Sequence, residues 1–134
     1  MKFFLDNNLP PALALALDAL SVPYGHSVSH LQQLYKANTP DSQWISDLAT
    51  NGEWVVITHD NLNKGLEREA LRQAGLIVFF LDSSWASHSF WDKAYQLVRW
   101  WPRVIEQSSG ITGGAAFKVK WNFSGKGKFE QIKI

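Results

Sequence analysis

Asp6, Asp60 and Asp82 each stand at the end of an apolar run: Phe3-Phe4-Leu5 before Asp6, Val55-Val56-Ile57-Thr58-His59 before Asp60, and Phe79-Phe80-Leu81 before Asp82. Short continuous apolar runs of this kind predict buried strands of a parallel sheet. In such a sheet the C-terminal strand ends share one edge, and ligands of open α/β sheets bind outside it. The pattern therefore gathers Asp6 and Asp60, with Asp82 as a further candidate, in one region. Carboxylates held close together repel, and some take up protons unless a cation neutralises them. Hard oxygen donors suit Mg²⁺ or Mn²⁺ rather than Zn²⁺. A divalent ion held by carboxylates can polarise a phosphodiester, lower the pKa of a bound water and stabilise the leaving oxygen.

The same residue type has a plainer use. Aspartate at a strand-to-helix junction serves as a cap or an Asx-turn. Asp82 fits that use best, because Ser83-Ser84 behind it is turn composition. Asp41 follows Thr39-Pro40 and reads as an acid in a first helical turn, favoured there by the helix dipole. The histidines His26, His30, His59 and His88 have no zinc spacing, and the chain has no cysteine. His59 reads as structural or solvent-facing.

The elements that must position these acids follow from pattern. Residues 2–5 predict a strand. Pro10-Pro11 opens a helix whose Leu9, Leu13, Leu17 and Leu20 lie at helical spacing, and residues 21–25 end it. Residues 26–30 predict a second strand, and 31–36 a helical turn. Thr39-Pro40-Asp41 starts a helix with a capping hydroxyl, an inward stripe of Trp44, Ile45, Leu48 and Ala49, and a stop at Gly52. Residues 54–58 predict a β-branched strand, 64–73 a charged helix ending near Gly75, and 76–81 another strand. Residues 85–91 read as a loop or lid. Residues 92–107 predict a helix with Leu97, Val98, Trp101, Val104 and Ile105 inward, kinked or broken at Pro102. Residues 115–123 and 128–134 alternate and predict a terminal β-hairpin across Ser-Gly-Lys-Gly. Strand–helix alternation through residue 107 implies an α/β fold with a mostly parallel sheet.

Composition limits the class of protein. The length of 134 residues suits one domain, expected over residues 1–134 with the hairpin at about 115–134. A hydrophobic share of 46% is too high for a disordered chain. No export or membrane segment is visible: residues 1–5 are cut short by Asp6, and the Ala/Leu stretch 11–20 is interrupted by Asp18. The expected location is the cytoplasm. Residues 1–114 carry 8 basic and 11 acidic side chains, a net −3, whereas residues 115–134 carry 5 lysines and 1 glutamate, a net +4. That asymmetry hints at a polyanionic partner.

The segment Met1-Lys2-Phe3-Phe4-Leu5-Asp6-Asn7-Asn8-Leu9-Pro10 resembles the opening of PIN-like proteins, a strand followed by Asp-x-Asn-Leu-Pro. Gly25-His26-Ser27-Val28 resembles that family's second strand, Thr39-Pro40-Asp41 its acid-then-helix element, and Trp54 through Asp60 its strand ending in Thr-x-Asp. Order and spacing agree over about residues 1–82. The remainder, with Trp100-Trp101-Pro102 and the basic end, resembles the branch related to VapC-type toxins of bacterial toxin–antitoxin pairs. The resemblance implies a PIN-like three-layer sandwich and a metal-dependent endoribonuclease. It implies Asp6, Asp41 and Asp60 as the acids around Mg²⁺ or Mn²⁺, with Asp82 the positional candidate for a fourth. It makes Asn8 a residue behind the ligands or facing substrate. Asn7 stands where relatives often carry Glu. The partners implied are RNA, an antitoxin and a homodimer mate.

Other features bear on binding. Lys118, Lys120, Lys126 and Lys128 can track an RNA backbone, or defend an edge hairpin against aggregation. Arg68, in the helix after Asp60, can face phosphate or pair along its own helix with Glu neighbours. Trp85, Trp91 and Trp100 can stack on bases or bury a protein partner, and the partner is the preferred reading. A catalytically inactive PIN-like scaffold that binds protein or RNA is the alternative function. A phosphoacceptor receiver domain fits less well, since the second acid after the first strand and the late lysine are missing.

Overall fold

The computed structural model describes residues 1–51, 53–59, 70–71 and 73–133. Its elements are β1 (Lys2–Leu5), α1 (Pro11–Ser21), a 3₁₀ turn (Val22–Tyr24), β2 (Ser27–His30), α2 (Leu31–Leu34), α3 (Asp41–Asn51), β3 (Trp54–Thr58), β4 (Ile77–Leu81), a second 3₁₀ turn (Ser83–Ser87), α4 (Phe90–Ser109), β5 (Ala115–Val119) and β6 (Glu130–Ile132). The strands form one sheet in the order β2-β1-β3-β4-β5-β6. Every pairing is parallel except the last, β5 with β6. The fold is the α/β, mostly parallel, three-layer arrangement expected.

Alternation along the strands sends side chains to two cores. Phe3, Leu5, Val55, Ile57, Phe79, Leu81, Phe117 and Val119 pack with Leu13 and Leu17 of α1 and with Leu97, Trp100, Trp101 and Val104 of α4. Phe4, Val56, Val78, Phe80 and Ala116 pack on the other side with Trp44, Ile45 and Leu48 of α3, and with Leu71. Trp44 lies 4.9 Å from Phe4, ring centre to ring centre, and this contact seats α3 on β1. Burying each such side chain contributes about 1.5–3 kcal/mol relative to leaving it in water.

The β1–β3 boundary matters most for function. After β1 the chain crosses by α1 to β2 on one side, then returns by α3 to β3 on the other. Strand order reverses there. Such a switch point leaves a crevice between helices that depart in opposite directions.

Several expectations are corrected by packing. Leu20 is exposed, and the inward position at the end of α1 belongs to Ser21, whose hydroxyl donates to Leu17 O and accepts from Trp101 Nε1. The Thr39 hydroxyl does not cap α3: it donates back to Lys36 O, and the carbonyl of Pro40 accepts the first helical N–H. Residues 85–91 are not a lid, because Ser83–Ser87 is a 3₁₀ turn and α4 already starts at Phe90, capped by Ser89 Oγ on Asp92 N. Pro102 neither breaks nor ends α4. It lies on the exposed face, where the carbonyl that loses its partner meets water. Val98 is exposed, and Trp100 takes the inward place instead.

The terminal hairpin forms as expected, with shorter strands and a longer link. β5 belongs to the main sheet, parallel to β4, and only β6 is antiparallel. The link between them is long because Phe123 and Phe129 turn down onto Trp100, with ring centres 4.7 and 5.1 Å away. Lys126 and Lys128 therefore sit on that link rather than on a strand. Most of the predicted helix 64–73 and the Gly52 stop lie outside the described residues. Residues 70, 71, 73 and 74 are helical, and Gly75 follows at φ 66° as expected of a C-terminal stop.

Candidate functional site at the sheet edge

Asp6 is the first residue beyond β1 and stands at the switch point. It is 3% exposed. The β1–β3 register pairs Leu5 with Ile57, so Asp6 comes level with Thr58. The Thr58 hydroxyl donates to Asp6 Oδ2 at 2.5 Å, and the backbone N–H of Asn8 donates to Oδ1 at 3.1 Å. Leu9 N also donates to Asp6 O, at 3.2 Å, and closes the turn. The carboxylate is thus fixed by a neighbouring strand and by its own loop.

Alternation puts Asp6 and Thr58 on the face of Phe4 and Val56, the face that α3 covers. α3 begins with Asp41 and runs back from this edge. Its Asp41 Oδ1 accepts from Trp44 Nε1 at 2.9 Å, and Trp44 rests on Phe4, two residues before Asp6. A clamp joins the two loops. Asn7 Nδ2 donates to Ala37 O at 2.6 Å, and Asn7 Oδ1 accepts from Gln32 Nε2 at 3.2 Å. Asn7 therefore ties the Asp6 turn to the segment leading into Asp41.

His30 is fully buried and supports the same turn. Its Nδ1 lies 3.1 Å from Gln32 N, which can only donate. Its Nε2 must then carry the proton and donate to Leu9 O at 2.6 Å. Three positioning residues were missed from sequence: Thr58, His30 and Asn7. The signal for Thr58 was the β1–β3 pairing, which a single sequence does not display. His30 was set aside because only a metal role was sought for it.

The other predicted residues divide. Asn8 presents an exposed side chain while its backbone holds Asp6. Asp82 lies at the same edge, beyond β4, and caps the 3₁₀ turn: its Oδ1 accepts from Ser84 N at 3.0 Å and from Ser84 Oγ. Asp60 and Arg68 lie outside the described residues. Among the described residues, no group of three His, Cys, Asp or Glu side chains is close enough to hold a metal ion. Lys118 is half-buried in β5 and opposite Phe80, on the Asp6 face of the sheet, while Lys120, Lys126 and Lys128 are exposed. Trp85 and Trp100 are core, 0% and 1% exposed, and stack on no external ring; Trp91 alone of the three is open, at 78%.

A cavity of about 1020 Å³ opens on Met1, His26, Trp54, Gly75, Ser109 and Gly113. These residues lie at the N-terminal strand ends, across the sheet from Asp6, and no predicted site residue lines it. Its size alone does not make it the centre of the chemistry. Burial and the nearby Met1 ammonium lower the His26 pKa there from its ordinary 6.5.

A family model described as a PIN-like domain matches residues 1–83. The chain belongs to that family. The matched stretch contains Asp6, Asp41, Thr58 and Asp82 and ends just after β4. No curated protein matches the chain, and no solved structure does.

Thr58 provides a direct test of positioning. Thr58→Val keeps the shape and removes the donor to Asp6 Oδ2. On a metal-dependent nuclease reading, in which Asp6 is a ligand, cleavage of RNA would fall roughly ten- to a hundredfold, the usual effect of losing a group that orients a ligand. Thr58→Ser should restore most of it. Equal activity in all three proteins, read as kcat/KM, would remove Thr58 from the site.

Proposed function

We propose that this PIN-like chain is a metal-dependent endoribonuclease of the VapC-like toxin branch, acting on RNA in the cytoplasm and restrained by an antitoxin. The observation that carries the reading is the buried Asp6 carboxylate at the β1–β3 switch point, fixed by Thr58 and Asn8 and clamped through Asn7 to the segment leading into Asp41. A buried acid with this much support is expected where a carboxylate must be held for use.

The donor set suits a hard divalent ion. Asp6, Asp41 and Asp60 would hold Mg²⁺ or Mn²⁺ through oxygen. When bound, the ion would supply a water of lowered pKa and stabilise the leaving oxygen of a phosphodiester. The chain's own residues do the rest. Thr58 and the Asn8 N–H hold Asp6 in one orientation. Trp44 does the same for Asp41. Asn8, exposed beside Asp6, is placed to meet substrate, and Arg68 and the lysines would meet phosphates. Asp82, the candidate fourth acid, already accepts two hydrogen bonds from Ser84. The antitoxin reading draws support from exposed apolar side chains on the helices, Leu15 and Leu20 on α1 and Tyr95 on α4.

Calorimetric titration with Mn²⁺ tests the metal site. The wild-type protein is expected to bind at millimolar metal or below, and Asp6→Asn to lose that binding. No heat from the wild type at millimolar Mn²⁺ would favour the inactive binding scaffold instead.

A further inference from the structure

Aromatic rings at the margin of one core gather where β4 and β5 end. The His88 ring lies flat on Trp121, with centroids 3.5 Å apart and planes 4° apart. Trp121 in turn meets the buried Trp85 edge-on at 4.8 Å, and Gln96 of α4 donates to its backbone carbonyl. The stack is therefore anchored from beneath. His88 and Trp121 are both half-buried, and the His88 ring makes no hydrogen bond among the described residues. Nearby, in the first turn of α4, Trp91 is 78% exposed and is propped edge-on by Phe90 at 5.4 Å.

Basic groups leave from the same place. The β5–β6 link begins at the stack, and its Lys120, Lys126 and Lys128 are exposed. Arg99, on the α4 face that the link crosses, lies over the Phe123 ring at 4.8 Å. Residues 115–134 carry a net charge of +4. β4 and β5 end at the edge where β1 ends, and β5 lies three strand positions from β1. That is roughly 14 Å at the ordinary strand spacing.

We propose that His88, Trp91 and Trp121 form a base-stacking platform for single-stranded RNA, with Lys120 on the backbone of a strand that continues along the sheet edge toward Asp6. The proposal rests on the ribonuclease reading for the destination of that strand. A flat ring offers every base a matching π face, and adjacent lysines neutralise phosphates. A protein interface is depleted of lysine, whereas the exposed Lys120 directly precedes Trp121.

The test is fluorescence anisotropy of a labelled single-stranded RNA of about twelve nucleotides, a length within the range of single-strand sites. EDTA in the buffer prevents metal-dependent cleavage, so binding is read without catalysis. Trp91→Ala and His88→Ala are each expected to weaken binding roughly tenfold. Lys120→Ala is expected to flatten the salt dependence by about one phosphate contact. Circular dichroism of each variant confirms the fold. Wild-type affinity in the Trp91→Ala/His88→Ala double variant overturns the platform. So does a wild-type protein that binds no RNA, or a double variant that keeps RNA but changes from dimer to monomer in sedimentation. The two readings fail separately. RNA bound through these rings without any cleavage by the metal-loaded protein keeps the platform and removes the nuclease. Cleavage with KM unchanged in the ring variants keeps the nuclease and removes the platform.

Discussion

Asp6→Asn is expected, on the proposed nuclease reading, to lower Mn²⁺-dependent RNA cleavage by at least roughly a hundredfold, because it would remove a ligand charge from the metal. The fold is expected to survive. An amide can meet both neighbours: its oxygen can accept the Asn8 N–H, and its NH₂ can donate to the Thr58 hydroxyl oxygen. Burial favours the change, since a neutral amide costs less to desolvate than a carboxylate. Asp6→Ala is different. It removes the acceptor of the buried Thr58 hydroxyl and of the Asn8 N–H, a loss on the order of 1–3 kcal/mol. The pair of variants separates chemistry from architecture. Cleavage assayed with Mg²⁺ and Mn²⁺, beside thermal melting, should show Asp6→Asn inactive but folded and Asp6→Ala inactive and less stable. Wild-type cleavage by Asp6→Asn would remove this acid from the metal site.

The residues that carry chemistry were easier to see in the sequence than the residues that hold them. Asp6 and the strand before it are legible because a buried strand must be apolar and must stop where a carboxylate begins. The α/β class is legible from alternation alone. What positions Asp6 is not local. Thr58 reaches it from 52 residues away, and Asn7 reaches Ala37 from 30 away. Only strand order and register bring these together, and neither is written in any short segment. Asp41 shows the complementary problem. Its local signature is that of a helix-starting acid, which it is, and what seats its helix on β1 is the packing of Trp44 on Phe4.

The aromatic residues show a different limit. Sequence position does not tell a core tryptophan from an exposed one when both lie near a strand end. Trp85 and Trp91 are six positions apart, yet one is 0% and the other 78% exposed. The cause is the cap at Asp82. It turns the chain into a 3₁₀ helix that drives Trp85 under the sheet edge, and Ser89 then starts α4 with Trp91 on its outer side. Pro102 leaves α4 unbroken for a related reason. A proline disrupts a helix where its lost hydrogen bond is buried, and α4 keeps that bond's position on the solvent side.

Trp85→Ala is expected to destabilise the protein by about 3–5 kcal/mol, the range for deleting a large buried aromatic side chain. Its ring fills the core under the β4–β5 end and meets Trp121 edge-on. Its Nε1 donates to Val119 O at 3.0 Å, and the backbone of Asp82 donates to the same carbonyl at 3.0 Å. Two donors from one turn thus hold the ends of β4 and β5 together. A loss of this size is a large part of the roughly 5–15 kcal/mol that a domain has in total. Trp85→Phe keeps most of the packing and leaves Val119 O its bond from Asp82, so its cost should be smaller, on the order of 1–2 kcal/mol. Trp91→Ala, at the exposed site, should stay within about 0.5 kcal/mol of wild type. Urea unfolding of the three variants, compared at equal m, gives the order directly. If Trp85→Ala proves as mild as Trp91→Ala, the Trp85 ring does not support the sheet edge, and the stack of His88 on Trp121 loses its foundation.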